Sequence, residues 1–312
     1  MIHLFPIVIF CYNRPIHLKQ TLEALKKNKL SSESDLFIFS DGYKGKEDRN
    51  DVEAVRRIIS NISGFKNVVL HENDRNQGLA KSIIQGITEV FTRAQACIVL
   101  EDDIETSPYF LEFMNDGLRY YEDDHEIFSI SGYCPPIQIP GDFPHEAFRF
   151  PRINSWGWGT WRDRWESVDW EVKDFDRFIR DTSRIKQLEQ LGQDLPVMLL
   201  KQQTGQIGSW AVRFNQTCFN GGKSNVYPIR SLVKNIGIDD SGSHMKSTRK
   251  YTVKLSGKKI SPVPSAEDQR IAKTFRRFYK PSVYRRTINF MKIGWYRILK
   301  IRRNEIANPG CF

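Results

Sequence analysis

The stretch "ACIVLEDDIE", residues 96–105, runs from small and apolar residues straight into Glu101, Asp102 and Asp103, with Glu105 close behind. A short run rich in Ile and Val reads as a strand buried on both faces. Each carboxylate at its end raises the cost of ionising the next, so water or a cation must solvate them. If strand geometry persists through the acids, Glu101 and Asp103 share one face and Asp102 takes the other. Such a strand delivers polar chemistry to its carboxyl end, where open parallel sheets bind their ligands.

Three similar runs precede it, "FPIVIF" (5–10), "DLFIFS" (35–40) and "NVVLHE" (67–72). Between them apolar residues recur at helical spacing: Leu18, Leu22 and Leu25 after Pro15, then Val52, Val55, Ile59 and Ile62, then Leu79, Ile83, Ile87 and Val90. The alternation predicts an α/β fold with a mostly parallel central sheet and helices on both faces. Past the acids, Ser107 as N-cap and Pro108 at the first helical position predict a helix, and "IFSISGY" (127–133) a further strand. The proline-rich stretch 133–151 reads as a long loop or sheet edge that opens a second half. The expected organisation is a first half at 1–132, a second half of the same domain at 133–265, and a tail at 266–312.

The composition is that of an ordinary globular chain, 312 residues with 40% hydrophobic and 27% charged. No apolar stretch approaches the roughly 20 residues a membrane-spanning helix needs. The first apolar run lacks a basic leader and a cleavage site, so a first strand and a cytoplasmic chain are expected. Five scattered cysteines without C-x-x-C spacing read as reduced residues and not as a zinc site.

The net charge of +10 is concentrated at the end, where residues 268–312 hold 12 Lys and Arg against two acids. There Phe275, Phe278, Tyr284, Phe290, Trp295 and Tyr296 interleave with basic residues, the composition of an interfacial anchor. An anionic membrane surface is therefore the expected partner. A nucleic-acid contact and a helix packed on the domain are the rivals, and no nucleic acid is expected.

Three features fall at strand ends: Asn13 with Arg14, Asp41 with Gly42, and the acidic cluster. The acids suit a hard divalent cation, Mn²⁺ or Mg²⁺, which commonly uses one or two carboxylates plus substrate phosphates. Such an ion would stabilise charge on a departing diphosphate. A solvated turn explains the acids equally well when they are taken alone. Asp41 is placed to accept from a base or ribose hydroxyl, and Lys81 to meet a phosphate or an acid. Trp156, Trp158 and Trp161 either face a sugar or fill the core.

In this order "IFCYNRP", "FIFSDG", "NQGLAKSIIQGITEVF" and "CIVLEDDIETSPYFLEFM" resemble the GT-A fold glycosyltransferases, in particular those similar to N-acetylglucosaminyltransferase I and bacterial polysaccharide glycosyltransferases. "SWGWGTW", "GSWAVRF" and "SLVKNIGIDDSGSH" extend the likeness to about residue 245. The resemblance implies an inverting transferase that uses a UDP-sugar and Mn²⁺ on a glycan or lipid-linked acceptor in surface polysaccharide assembly, peripheral to the inner face of a membrane.

It implies Asp103 as the direct metal ligand, with Asp102 toward the ribose and donor sugar and Glu101 toward the donor sugar. Asn13, Arg14, Asp41 and Lys81 would complete the nucleotide side, although the family's histidine after Lys81 is Ser82 here. His244 would meet the diphosphate or the metal. Trp156, Trp158 and Trp210 would serve the acceptor. Trp210 lacks the family's neighbouring catalytic carboxylate, so the base is sought at Asp239, Asp240 and Asp163. A nucleotidyltransferase and a catalytically silent sugar- or nucleotide-binding protein are the competing readings; the former usually carries a glycine-rich phosphate loop that "FCYNRPIHL" lacks.

Overall fold

The computed structural model describes residues 4–239 and 248–307, with 299–307 as helix backbone. Strands β1 (Ile7–Cys11), β2 (Asp35–Ser40), β3 (Asn67–Glu72) and β4 (Ala96–Glu101) alternate with helices α1 (Pro15–Lys26), α2 (Arg49–Ser60) and α3 (Leu79–Val90). All four strands pair in parallel, β1 lying between β2 and β4 with β3 beyond β2. Successive side chains go to opposite faces, as the pleat demands. Ile7, Ile9, Ile98 and Leu100 pack with Leu18, Leu22 and Leu25 on one side, while Val8, Phe10, Cys97 and Val99 pack with Ile83 and Ile87 on the other. Gly86 lets α3 lie close, because a Cβ there would come 2.7 Å from the Phe10 ring.

The chain continues through β5 (Ile104–Thr106), α4 (Phe110–Tyr120), β6 (Ile127–Ser131), β7 (Ala147–Phe150), β8 (Trp158–Trp161) and α5 (Arg162–Glu166). Helices α6 (Phe175–Arg180), α7 (Thr182–Glu189), α8 (Leu195–Gln203) and α9 (Trp210–Asn220) follow, then β9 (Ser224–Pro228), β10 (Val233–Asn235), β11 (Ser265–Ala266), α10 (Gln269–Phe278) and α11 (Val283–Ala307). Among the described residues nine strands form one sheet in the order β11-β7-β9-β6-β8-β4-β1-β2-β3, and β5 with β10 forms a separate antiparallel ribbon. The expected mixed α/β architecture, mostly parallel with helices on both faces, is the observed one.

Several local expectations change. Strand geometry does not persist through the acids: β4 ends at Glu101, and Asp102 with Asp103 forms a turn into β5. Ribbon pairing decides this, because Thr106 is opposite Val233 and Ile104 opposite Asn235. Helix α4 starts at Phe110 instead of Pro108, since Ser107 is held by the ribbon's surroundings: its N–H donates to Leu232 O at 2.7 Å and its hydroxyl to Ser256 O at 2.7 Å. The proline-rich stretch carries β7, which sits inside the sheet between β9 and β11. Cys11, Cys97, Cys134 and Cys218 are buried free thiols, and Cys311 lies outside the described residues.

The basic tail divides into two parts. Ile271 and Phe275 of α10 are buried, with the Phe275 ring stacked 4.1 Å from that of Phe150. On α11, Ile293 is buried and Tyr296 lies 5.8 Å from Phe175, while Tyr284, Phe290, Met291 and Trp295 are exposed. Among the described residues no helix is long and apolar enough to cross a membrane.

This division yields a stability test. Phe275→Ala is expected to cost about 3–5 kcal/mol in urea denaturation as a core truncation. Phe290→Ala, on the exposed face, should stay within about 0.5 kcal/mol of the parent.

Candidate active site

The carboxyl ends of β1, β2 and β4 open into a cavity of about 1040 Å³. Asn13, Arg14, Asp41, Lys81, Glu101, Asp102, Asp103 and Trp156 all line it, so most of the expected donor residues converge on one crevice.

The acidic turn is its floor. Arg14 Nη1 donates to Asp103 Oδ2 at 2.7 Å and lies 3.7 Å from Asp102 Oδ1, while Arg14 Nη2 donates to Gly237 O at 3.0 Å. The Tyr12 N–H donates to Asp102 Oδ2 at 3.2 Å, and the Thr21 hydroxyl to the Asp102 carbonyl at 2.8 Å. One guanidinium does not neutralise three neighbouring acids. Burial and then the Asp103 charge push Asp102 up to about 8, with Arg14 opposing. Burial, then the charges of Asp103 and Asp102, hold Glu101 well above the usual carboxylate range.

Asp103 Oδ1 is buried without a hydrogen-bond partner, and so are the Tyr12 hydroxyl and Ser82 Oγ on the walls of the same cavity. Leaving such a group unpaired costs about 1–3 kcal/mol, so polar atoms of this kind mark where a ligand would bind. A carboxylate oxygen without a partner, beside two further carboxyl groups lining the same cavity, fits a hard cation that takes one or two carboxylates and completes its shell with substrate oxygens. Among the described residues, no three or more His, Cys, Asp or Glu side chains group as a metal cage. His244 and Asp240 lie outside the described residues.

Asp41 lines the crevice, but its carboxylate is committed to the protein. It accepts from the N–H groups of Gly42 (3.0 Å), Gln77 (2.9 Å) and Gly78 (3.0 Å) and from Asn73 Nδ2 (3.2 Å). It therefore clamps the 73–78 loop onto the end of β2. Gly42 makes this possible, because a Cβ there would sit 2.6 Å from the Arg75 carbonyl carbon. The clamp positions the start of α3, whose N-cap Gly78 (φ +78°) offers no side-chain cap. Lys81 stands on that first turn in the crevice wall, where the helix dipole also favours negative charge.

Three expectations are corrected. Asp163 follows β8, whose Trp161 pairs with Ala96 at the amino end of β4, so it lies at the opposite end of the sheet from the crevice. There it binds Arg164 at 2.8 Å and His125 at 3.2 Å. Trp158 and Trp210 are core residues, stacked 4.7 Å apart at 0% and 3% exposure, and present no face to a sugar. Trp156 alone of the three lines the crevice, edge-on to Tyr133 and Tyr251.

Asp239 accompanies Gly237 and Ile238 of the wall, with Oδ2 3.0 Å from His17 Nε2 and Oδ1 3.9 Å from Arg14 Nη2. Arg213 was missed. It lines the crevice from α9, donates from Nη1 to Trp170 O at 3.0 Å, and is held below its usual pKa by burial. Its sequence signal was its place one turn after Trp210 in "SWAVRF".

Residues 7–160, spanning β1 to β8 and the acidic turn, match the family model described as glycosyl transferase family 2. The fold is that of the GT-A glycosyltransferases. Similar solved structures include two of S. aureus TarS, one of them of its residues 1–349. Both are 10% identical over 74% of this chain, with TM-scores of 0.36 and 0.39. The matches cover 36% and 60% of those chains, so this chain spans less than two thirds of either. Arg213, Gly237 and Asp239 fall beyond the residues that match the family model.

Two outcomes are expected. Asp102 has a raised pKa in the folded protein, so its stabilising contribution is present below the ordinary value near 3.8 and is lost as pH rises through about 8. With a chelator present, the melting temperature should fall across that window, and Asp102→Asn should flatten the fall. In Gly237→Ala the new Cβ would collide with Asp103 Oδ2 and both Arg14 terminal nitrogens. Steady-state kinetics should show turnover reduced by about tenfold or more, since sub-ångström displacement at a site is costly.

Proposed function

We propose that the transferase moves a sugar, with inversion, from a nucleotide-diphosphate sugar, UDP-linked first, onto a glycan or lipid-linked acceptor in surface polysaccharide assembly. The observation that carries the reading is the buried, unpartnered Oδ1 of Asp103 at the floor of a crevice large enough for a nucleotide sugar. Asp103 would hold Mn²⁺ or Mg²⁺, and when bound the ion supplies Lewis-acid stabilisation of the diphosphate.

The chain's own residues do the rest. Arg14 orients the Asp103 carboxylate through its 2.7 Å bond, and Asp102 and Glu101 face the donor. Lys81 and the uncapped start of α3 favour the diphosphate's negative charge, with Asn13 beside them and Asp41 holding the loop in register. Asp239 is the base in this reading: its half-exposed carboxylate is oriented by His17 at 3.0 Å toward accepting a proton from an acceptor hydroxyl. Asp240 is its alternative, and His244 a further ligand to the diphosphate or the ion. Trp156 offers the acceptor an aromatic edge.

The donor side belongs to 1–132 and the acceptor side to 133–265. From 266 onward, the exposed aromatic stripe of α11 and the surrounding basic residues support attachment to an anionic membrane at its cytoplasmic face.

A panel of nucleotide sugars with and without Mn²⁺, read by thermal stabilisation and by transfer, tests the donor reading. Asp103→Asn should abolish the Mn²⁺-dependent stabilisation and reduce turnover by about 100-fold or more. Unchanged binding and turnover in that variant would reject the metal role. Asp239→Asn should reduce kcat by about 10²–10⁴-fold while leaving donor binding in place; loss of binding instead would make Asp239 a donor contact.

A further inference from the structure

A second cavity of about 330 Å³ lies between α8 and the start of α11, walled by Lys201, Lys250, Tyr251, Tyr279, Arg285 and Asn289. Its charge is unbalanced. Asp194 is the single acid in the wall, and it is consumed by Arg152, whose two terminal nitrogens donate to its two oxygens at 2.8 and 2.9 Å. Arg152 is itself buried, with its guanidinium 3.7 Å from the Tyr279 ring centre. That pair therefore contributes no net charge to the cavity.

Lys201, Lys250 and Arg285 have no ion-pair partner among the described residues, which leaves three cations facing one small space. The Lys250 ammonium sits over the Phe278 and Tyr251 rings at 4.8 and 5.3 Å, and burial holds it below its usual pKa. Like charges gathered without a counter-charge repel, and an anion between them would relieve all three at once.

We propose that this cavity binds a phosphate group, gripped by Lys201, Lys250 and Arg285 with Asn289 as a neutral donor. Phosphate suits the set better than carboxylate, because a phosphomonoester carries about two negative charges at neutral pH and three acceptor oxygens. Arginine's fork pairs with two of those oxygens, and lysine serves as a point charge. The site is tied to the crevice by one ring contact: Tyr251 meets Trp156 edge-on at 5.6 Å, and Trp156 lines the crevice. A phosphate here is thus held beside the acceptor side of the active site. The inference rests on the cavity's own charges and not on the identity of the donor. Two sources share the chemistry: a phosphorylated soluble ligand, and a lipid headgroup reached through α11, whose outer face is apolar.

The test uses the full chain and two double variants of equal charge change, Lys201→Gln with Arg285→Gln in the cavity, and Lys258→Gln with Lys273→Gln at exposed positions outside it. Inorganic phosphate, against chloride at equal ionic strength, is titrated in thermal melts; sedimentation with vesicles containing phosphatidic acid, whose headgroup is a phosphomonoester, against phosphatidylcholine, forms the second arm. A free-phosphate site shows as stabilisation that is weakened about tenfold or more in the cavity variant alone. A headgroup site shows as phosphatidic acid binding lost in the cavity variant alone. Either result supports the proposal. Equal behaviour of the two double variants in both arms overturns it, and would assign any phosphate effect to the donor crevice.

Discussion

Three carboxyl groups and one guanidinium share the turn that ends β4, and the crevice is organised around their imbalance. Arg14 satisfies one oxygen of Asp103 and approaches Asp102, yet burial, with the neighbouring carboxylate charge added to it, holds Asp102 and Glu101 above their ordinary titration range. A protein interior tolerates such a cluster only where something else completes it. The core beneath is apolar and packed on both faces of the sheet, which fixes the turn in place. The cost of these incompletely paired groups is thereby concentrated at one position, the floor of the crevice.

The first half of the chain was legible because its signals are local. Period-two runs became β1 to β4 and period-3.6 runs became α1 to α3, with core residues such as Leu18, Ile83 and Ile98 where the pattern placed them. The strand-end rule then brought Arg14, Asp41 and the acids together without any long-range information. What failed depended on distant partners. The turn at Asp102 and Asp103 is imposed by pairing with β10, more than a hundred residues away. Trp158 and Trp210 carry the same aromatic character as Trp156, and only the packing of α9 on the sheet separates core from crevice. Asp163 was misplaced because β8 runs antiparallel to β4, a direction that residue spacing does not encode.

Asp41 shows a subtler difference. An acid after a strand was legible as a site residue, and it does line the crevice, but its oxygens are filled by backbone donors of the 73–78 loop. Its contribution is architectural, presenting the first turn of α3 at a set distance from the acidic turn. The basic tail shows the reverse error. Composition alone treated it as one amphipathic appendage, whereas Phe275 completes the core and only the outer stripe of α11 remains uncovered.

The β5–β10 ribbon joins the acidic turn to the wall that carries Gly237 and Asp239. Besides its own pairing, the Ile236 N–H donates to Asp103 O at 2.8 Å, and Arg14 reaches across to Gly237 O. These two short arms therefore form a ruler. Adding or removing one residue in either arm would slide the register and turn every side chain on it to the opposite face. Residues 103–107 and 231–237 should thus be the stretches where members of the lineage cannot change length, while the loop that leads into β7 is free to grow or shrink.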